Sequence, residues 1–311
     1  MRRRIIRQGN KSFTLTLPID WIKENGLKAQ DEVELAREEN SLLVSLPRDY
    51  KKPSGSVSVD VSGCNERTAR NIIYQHYRKG YDQIILTIGP EQSGYIERIV
   101  RHRLMGFEVA ETKANQIIIQ NIAEPSAERF NIILRKVFLT IKMEADEILA
   151  DFRKNSAENL ERREEQRSLI DSYANVCRRL IINHKIGGQK NSYTLLQIIH
   201  SLAHIEHAYY YMYRAAALVK QLKNGKDTLT LLEKSNEMFS TFYEAFYTRN
   251  TDMIESLGIM QDVLLFERLY KLLLKSGGPE NITLHWIGEI IRMVHLQSIL
   301  LLGLSDMESL D

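Results

Sequence analysis

At 311 residues, with 43% hydrophobic and 26% charged side chains, the chain has the length and apolar content of roughly two globular domains, which excludes a disordered tail or a lone small module. Lysine and arginine total 42 against 40 acids, so the net +2 gives no global pull toward nucleic acid or an anionic membrane. An electrostatic partner has to be met by a local patch.

The opening run, Arg2-Arg3-Arg4-Ile5-Ile6-Arg7 and then Gln8-Gly9-Asn10-Lys11, lacks the apolar stretch of a signal peptide. Cys64 and Cys177 are far apart and lack the paired spacing of a zinc or redox site, so a reducing, cytoplasmic setting is expected. Residues 4–7 and 12–17 read as two short strands joined at Gly9-Asn10. In Phe13-Thr14-Leu15-Thr16-Leu17 apolar residues alternate with threonine, which predicts one buried face. Pro18 suits a first helical turn, Trp21 and Ile22 supply an apolar side, and Gly26 stops the helix. Residues 32–36 and 42–46 are two more strands around Glu39-Asn40. A unit of 47 residues without disulfide or metal has too little core to stand alone, so pairing with a second copy is predicted.

Lys51-Lys52-Pro53-Ser54-Gly55 reads as a linker. Residues 56–61 alternate as a strand, Asn65 can cap a helix that Gly80 ends, and residues 83–88 form the next strand. A second helix carries Tyr95, Ile96, Ile99, Val100 and Leu104 to Gly106, and a hairpin turning at Lys113-Ala114-Asn115 closes with Ile117-Ile118-Ile119. This order predicts a small α+β domain over residues 55–122, one sheet with two helices on one face.

From Ser126 the period becomes helical. Breaks at Lys154-Asn155-Ser156, Gly187-Gly188, Asn224-Gly225-Lys226-Asp227, Asn250-Thr251 and Ser276-Gly277-Gly278-Pro279 leave six amphipathic pieces. Short connections make successive helices antiparallel neighbours, and the glycine pairs before the third and sixth pieces suggest a duplicated three-helix unit. The apolar run at residues 298–304 is shorter than the ~20 residues of a membrane span, so a buried helix end without membrane insertion is expected.

Charge is polarised within the first unit. Arg2, Arg3, Arg4, Arg7 and Lys11 stand in residues 1–11 without an acid, while Glu32, Glu34, Glu38 and Glu39 gather on the later strands. Strand alternation would place Arg2 and Arg4 on one face and Arg3 on the other. Doubling this set about a twofold axis would match the repeated phosphates of a duplex. The plainer alternative is a solvated basic terminus, or one paired with Glu32 and Glu34.

The stretch RRIIRQGNKSFTLTLPIDWIKENGLKAQDEVELAREENSLLVSLP resembles the swapped-hairpin domain of AbrB and SpoVT type transcription regulators. The resemblance rests on Arg4 and Arg7, Gly9 and Ser12, Leu17-Pro18, Gly26-Leu27, and Asp31 with Val33. Gln30 departs from it, standing where the family usually has glycine. The resemblance implies that residues 1–47 form a DNA-binding and dimerisation domain in which two chains interlace hairpins. It further implies that Arg2, Arg3, Arg4, Arg7 and Lys11 grip double-stranded DNA, with Asn10 and Ser12 able to bond phosphate or base edges.

The remainder is similar to PhoU-type phosphate uptake regulators, especially archaeal ones that carry this N-terminal module. YRKGYDQIILTI and RLMGFEVAETKANQIIIQNI resemble their linking domain, and residues 124–305 fit their six-helix region in length and pattern. That family often binds metal clusters through acids four positions apart on a helix. Here Arg167 precedes Asp171 in place of an acid, and His207 and His295 stand near positions where aspartate is usual.

His200, His204 and His207 could bind a transition metal, with Glu206 adjacent, or could fill polar seams between helices or face solvent. Tyr209-Tyr210-Tyr211 and Tyr213 could stack on bases, but packing between helices is the favoured reading. Glu161, Glu164 and Glu165 read as solvated, balanced by Arg162, Arg163 and Arg167. Gly225-Lys226-Asp227 lacks the surroundings of a phosphate-binding loop, and no nucleophile elbow or paired cysteines occur. The expected architecture is multidomain α+β: a swapped-hairpin β domain, a small α+β domain and an all-α bundle of about six helices. No catalytic residue, metal ligand or cofactor is assigned. The expected function is a homodimeric DNA-binding transcriptional regulator linked to phosphate uptake. The alternative is a PhoU-like adaptor docking on a phosphate transporter or sensor kinase, with the hairpin domain serving only to dimerise it.

Overall fold

A computed structural model describes residues 2–9, 11–38, 41–46, 55–219 and 223–304. Contacts divide the chain into two units, Met1–Ser56 and Val57–Asp311. In the first, β1 (Ile6–Gln8) pairs antiparallel with β2 (Ser12–Thr14), with Ile6 opposite Thr14. The helix α1 (Ile19–Glu24) follows, then β3 (Glu34–Glu38) antiparallel to β4 (Ser41–Ser45). Expected turn residues Asn10, Glu39 and Asn40 lie outside the described residues, as does most of the expected linker, residues 51–54.

The strands are shorter than the sequence suggests. Residues 15–17 run past the paired segment toward Pro18, whose ring nitrogen has no hydrogen to donate to a ladder. The expectation of a buried strand face fails within one chain: Phe13 is 64% and Leu15 47% exposed. A two-stranded ribbon has no second layer to cover such a face. Leu27 is the one buried hydrophobic among the described residues of this unit. Gln30 holds φ +79°, a left-handed conformation in which an L side chain is strained; this is why glycine would be the easier residue there.

In the second unit, β5 (Ser56–Asp60), α2 (Glu66–Arg78), β6 (Gln83–Thr87), α3 (Ser93–Arg103), β7 (Phe107–Lys113) and β8 (Gln116–Asn121) follow in order. The sheet runs β5-β6-β8-β7. Asn65 caps α2, its side-chain oxygen accepting from the Thr68 N–H at 2.9 Å. Alternation buries Ile84 and Leu86 of β6 with Ile117 and Ile119 of β8 beneath Ile73 and Tyr77 of α2 and Ile96 of α3.

The helices are α4 (Phe130–Arg153), α5 (Leu160–His184), α6 (Gly188–Ala217), α7 (Lys226–Thr248), α8 (Thr251–Asp262), α9 (Tyr270–Leu273) and α10 (Pro279–Leu301). A π-helical turn, Val263–Leu269, joins α8 to α9, so these form one bent piece. The five expected breaks fall between helices. α5 packs on both α2 and α3, and so joins the α+β layer to the bundle. α6 lies between α5 and α10; α4 contacts α5 and α7; α10 also contacts α7 and α8. Phe138 of α4 meets Phe239, Phe242 and Phe246 of α7 with ring centres 5.2 to 6.1 Å apart.

The terminal apolar run belongs to a longer stretch than residues 298–304. Pro279–Leu304 spans 26 helical residues and is long and apolar enough to cross a membrane by length and composition. Here its Leu284, Ile287, Ile291 and Val294 are buried against the other bundle helices. A core helix of a helical bundle satisfies the same compositional test.

Candidate nucleic-acid interface

The cationic residues cluster about the first hairpin. Gly9, at φ +71°, turns the chain after β1, and Lys11 follows the turn. Arg7 donates from Nε to the Gly9 carbonyl at 3.3 Å, which places its guanidinium beside the turn. Ser12 donates its hydroxyl hydrogen to the Gln8 carbonyl, so only the hydroxyl oxygen remains to accept a bond. Thr14 Oγ1 donates to the Ile6 carbonyl at 3.3 Å and ties the strand ends. Asn10 lies outside the described residues.

Arg2, Arg3 and Arg4 precede β1, so strand alternation does not assign them to opposite faces. Arg2, Arg3, Arg4, Arg7, Lys11 and Ser12 are all exposed. Apolar side chains are exposed in the same unit: Ile5 at 68%, Ile6 at 58%, Ile19 at 59%, Leu35 at 61% and Leu42 at 59%. Each of these groups carries a free-energy cost in water that a covering surface would relieve. Residues 6–55 match the family model described as antidote-toxin recognition MazE, bacterial antitoxin. The match supports an AbrB-like hairpin domain and ends where the second unit begins. No curated protein and no solved structure matches the chain.

The second unit has a polar interior that the sequence reading missed. Arg163, read there as part of a solvated face, is 2% exposed and bonds Gln166 Oε1 at 2.6 Å and the Glu147 carboxylate. Arg167 stacks on Tyr210 at 4.7 Å, and Asp171 is held by Arg103 at 3.0 Å and His207 at 3.2 Å. Burial pushes the Asp171 carboxyl up, but the His207 bond and the charges of His207, Arg103 and Arg167 outweigh it and hold it below the ordinary value. This acid is already bonded to Arg103 and His207, so the paired-acid motif of the resembled family does not fit these residues. Among the described residues no group of three or more His, Cys, Asp or Glu is placed to hold a metal ion.

The tyrosines pack, as the sequence reading favoured. Tyr209 donates to Asn236 Oδ1, Tyr210 to Glu164 Oε1 and Tyr213 to Asp151 Oδ2, each at 2.8 Å. Tyr211 lies on Trp286 with ring centres 5.5 Å apart.

Glu144 of α4 and Glu206 of α6 are fully buried, and neither carboxyl has a hydrogen-bond partner among the described residues. Burial pushes Glu144 up to about 8 despite the opposing charge of Arg163. Burial raises Glu206 too, with Glu144 and Asp171 adding to the effect. Between the ordinary value of 4.5 and about 8 the folded chain therefore holds more protons here than the unfolded chain does. Stability is fully present below that window and is lost as pH rises through it. Replacing both residues by glutamine is expected to flatten this loss and to raise stability at pH 8.5 by roughly 2–4 kcal/mol, measured by urea unfolding at pH 5 and 8.5. Equal pH dependence in the variant and the parent would contradict the assignment.

Proposed function

We propose that the chain is a homodimeric, non-catalytic DNA-binding regulator acting in the cytoplasm. Two N-terminal units interlace their hairpins, and Arg2, Arg3, Arg4, Arg7 and Lys11 of both copies meet the phosphates of a duplex. The observation that supports this best is the coincidence, in one unit matching an AbrB-like family model, of exposed cations and exposed apolar faces without a core of their own. A second copy would cover the apolar faces and double the cations, and doubled cations match a two-fold duplex. Regulation of phosphate uptake is the pathway that the PhoU resemblance of residues 124–305 brings to this reading. In it the helical unit supplies sensing or docking. Cys64 and Cys177 are free thiols, consistent with a reducing setting.

Duplex affinity of the full chain, followed by fluorescence anisotropy against salt, tests the reading. Each phosphate contact contributes about −0.9 to the log-log slope, so ten cations per dimer set a limit of about −9. A clear negative slope within that limit, with a dimer in sedimentation, is expected. A chain that dimerises through its hairpins only to serve as an adaptor would show no such binding, and that result would overturn the proposal.

A further inference from the structure

Arg78 of α2 and Arg178 of α5 share one neutral acceptor. Arg78 donates from Nε to Asn175 Oδ1 at 2.7 Å, and Arg178 donates from Nη1 to the same oxygen at 3.4 Å. Asn175 is fully buried and Arg178 is 8% exposed, so these charges are not simply bathed in water. The other bond from Arg178 goes to the carbonyl of Ile199 at 3.4 Å, again neutral. Among the described residues neither guanidinium forms an ion pair. Asp171, two turns before Arg178 on α5, is the acid whose charge reaches both, and it is already bonded to Arg103 of α3 and His207 of α6. The Arg103–Asp171 pair is neutral, which leaves about two positive charges where α2, α5 and α6 meet.

His200 and His204 form the exposed rim of this seam, their Nε2 atoms 3.1 Å apart. Burial holds His200 down to about 4, helped by His204, Arg178, Arg78 and His207. Arg178 is likewise held down to about 10, by burial first and then by Arg78. Burial is the larger cause of that depression, and the neighbouring guanidinium adds to it. A rim of imidazoles with convergent nitrogens could also suggest zinc. Two guanidinium charges behind the rim oppose a cation, however, and among the described residues no third ligand is grouped with the pair.

We propose that the seam between α2, α5 and α6 binds a small doubly charged oxyanion, either free phosphate or the terminal phosphoryl group of a metabolite, through Arg78 and Arg178 with His200 and His204 at its mouth. Guanidinium forks match the oxygens of a phosphoryl group, and an anion would supply the missing charge. The site stands independently of DNA binding, because it lies wholly within the second unit.

Calorimetric titration of the full chain with sodium phosphate, and separately with a sugar phosphate, tests this at pH 8, where both ligands are doubly charged. One saturable site per chain is expected. Competence of both ligands would indicate a phosphoryl end, and of phosphate alone a free anion; either supports the site. Arg78→Gln, at a half-buried position and checked for an unchanged melting curve, should weaken binding at least ~10-fold, and Arg78→Lys should recover part of the loss. Absence of a saturable phosphate heat, an Arg78→Gln variant with parental affinity, or tight zinc binding with no response to phosphate would each overturn the proposal.

Discussion

Alanine at Arg4, Arg7 and Lys11 together is expected to lower duplex affinity by at least roughly 10³-fold near 0.1 M salt, because six cations of the dimer then release no counterions. The salt slope should become shallower by about 5 for the same reason. None of the three side chains is buried, so their removal costs the unit no packing. The exposed apolar groups proposed to pair the hairpins, Phe13 and Leu42 among them, are untouched. The variant should therefore remain a dimer in sedimentation. Unchanged affinity in a dimeric variant would place the DNA surface elsewhere, or leave the hairpins a dimerisation device alone. A monomeric variant would show instead that the cations contribute to pairing, which is not expected of side chains this exposed.

What the sequence disclosed and what it hid follow from the range of the interactions involved. Gly9, Gly26 and Gly80 mark ends that a local backbone rule dictates, and each takes a positive φ. The α5 to α6 break at Gly187-Gly188 and the α9 to α10 break before Pro279 are legible for the same reason. The hairpin cations are legible because nothing acidic stands near them in the chain. By contrast, Arg163, Arg178 and Arg179 occupy a helix whose charged residues appear on all sides, and nothing local separates a buried arginine from a solvated one. Their roles depend on residues about 20 to 100 positions away: Arg163 on Glu147 of α4, Arg178 on Ile199 of α6, Arg179 on Tyr77 of α2. Glu206 was noticed only as a neighbour of His207. Its burial opposite Glu144 follows from the packing of α4 on α6, which no single helix encodes. The strand faces were misread for a related reason. The alternation in residues 13–17 predicts a buried side, and the single chain has no layer to bury it.

Arg179→Met is expected to destabilise the second unit by about 3–5 kcal/mol, the usual cost of removing one partner from a buried charge network. Arg179 is 1% exposed and its guanidinium lies against the rings of Tyr77 and Phe107, 5.2 and 4.8 Å from their centres. Its Nη1 donates to the carbonyls of Tyr77 at 3.0 Å and Tyr81 at 2.8 Å, where α2 turns toward β6. Its Nη2 meets Asp82 at 2.6 Å and Glu124 at 3.3 Å. One side chain of α5 thus satisfies the end of α2, the start of β6 and the segment after β8. Asn183, one turn along α5, reinforces the joint by donating to Glu124 at 3.0 Å, and it leaves Gly80 no room: a Cβ there would meet Asn183 Oδ1 at 2.0 Å. Methionine fills much of the same volume but leaves two carboxylates without their cation and two carbonyls without a donor. Lysine keeps the charge yet cannot fork to four acceptors while lying against two rings, so Arg179→Lys should recover less than half of the loss. Urea unfolding followed by circular dichroism measures both. Parental stability in the methionine variant would mean that the α+β layer is held to α5 by the apolar contacts of α2 and α3 alone.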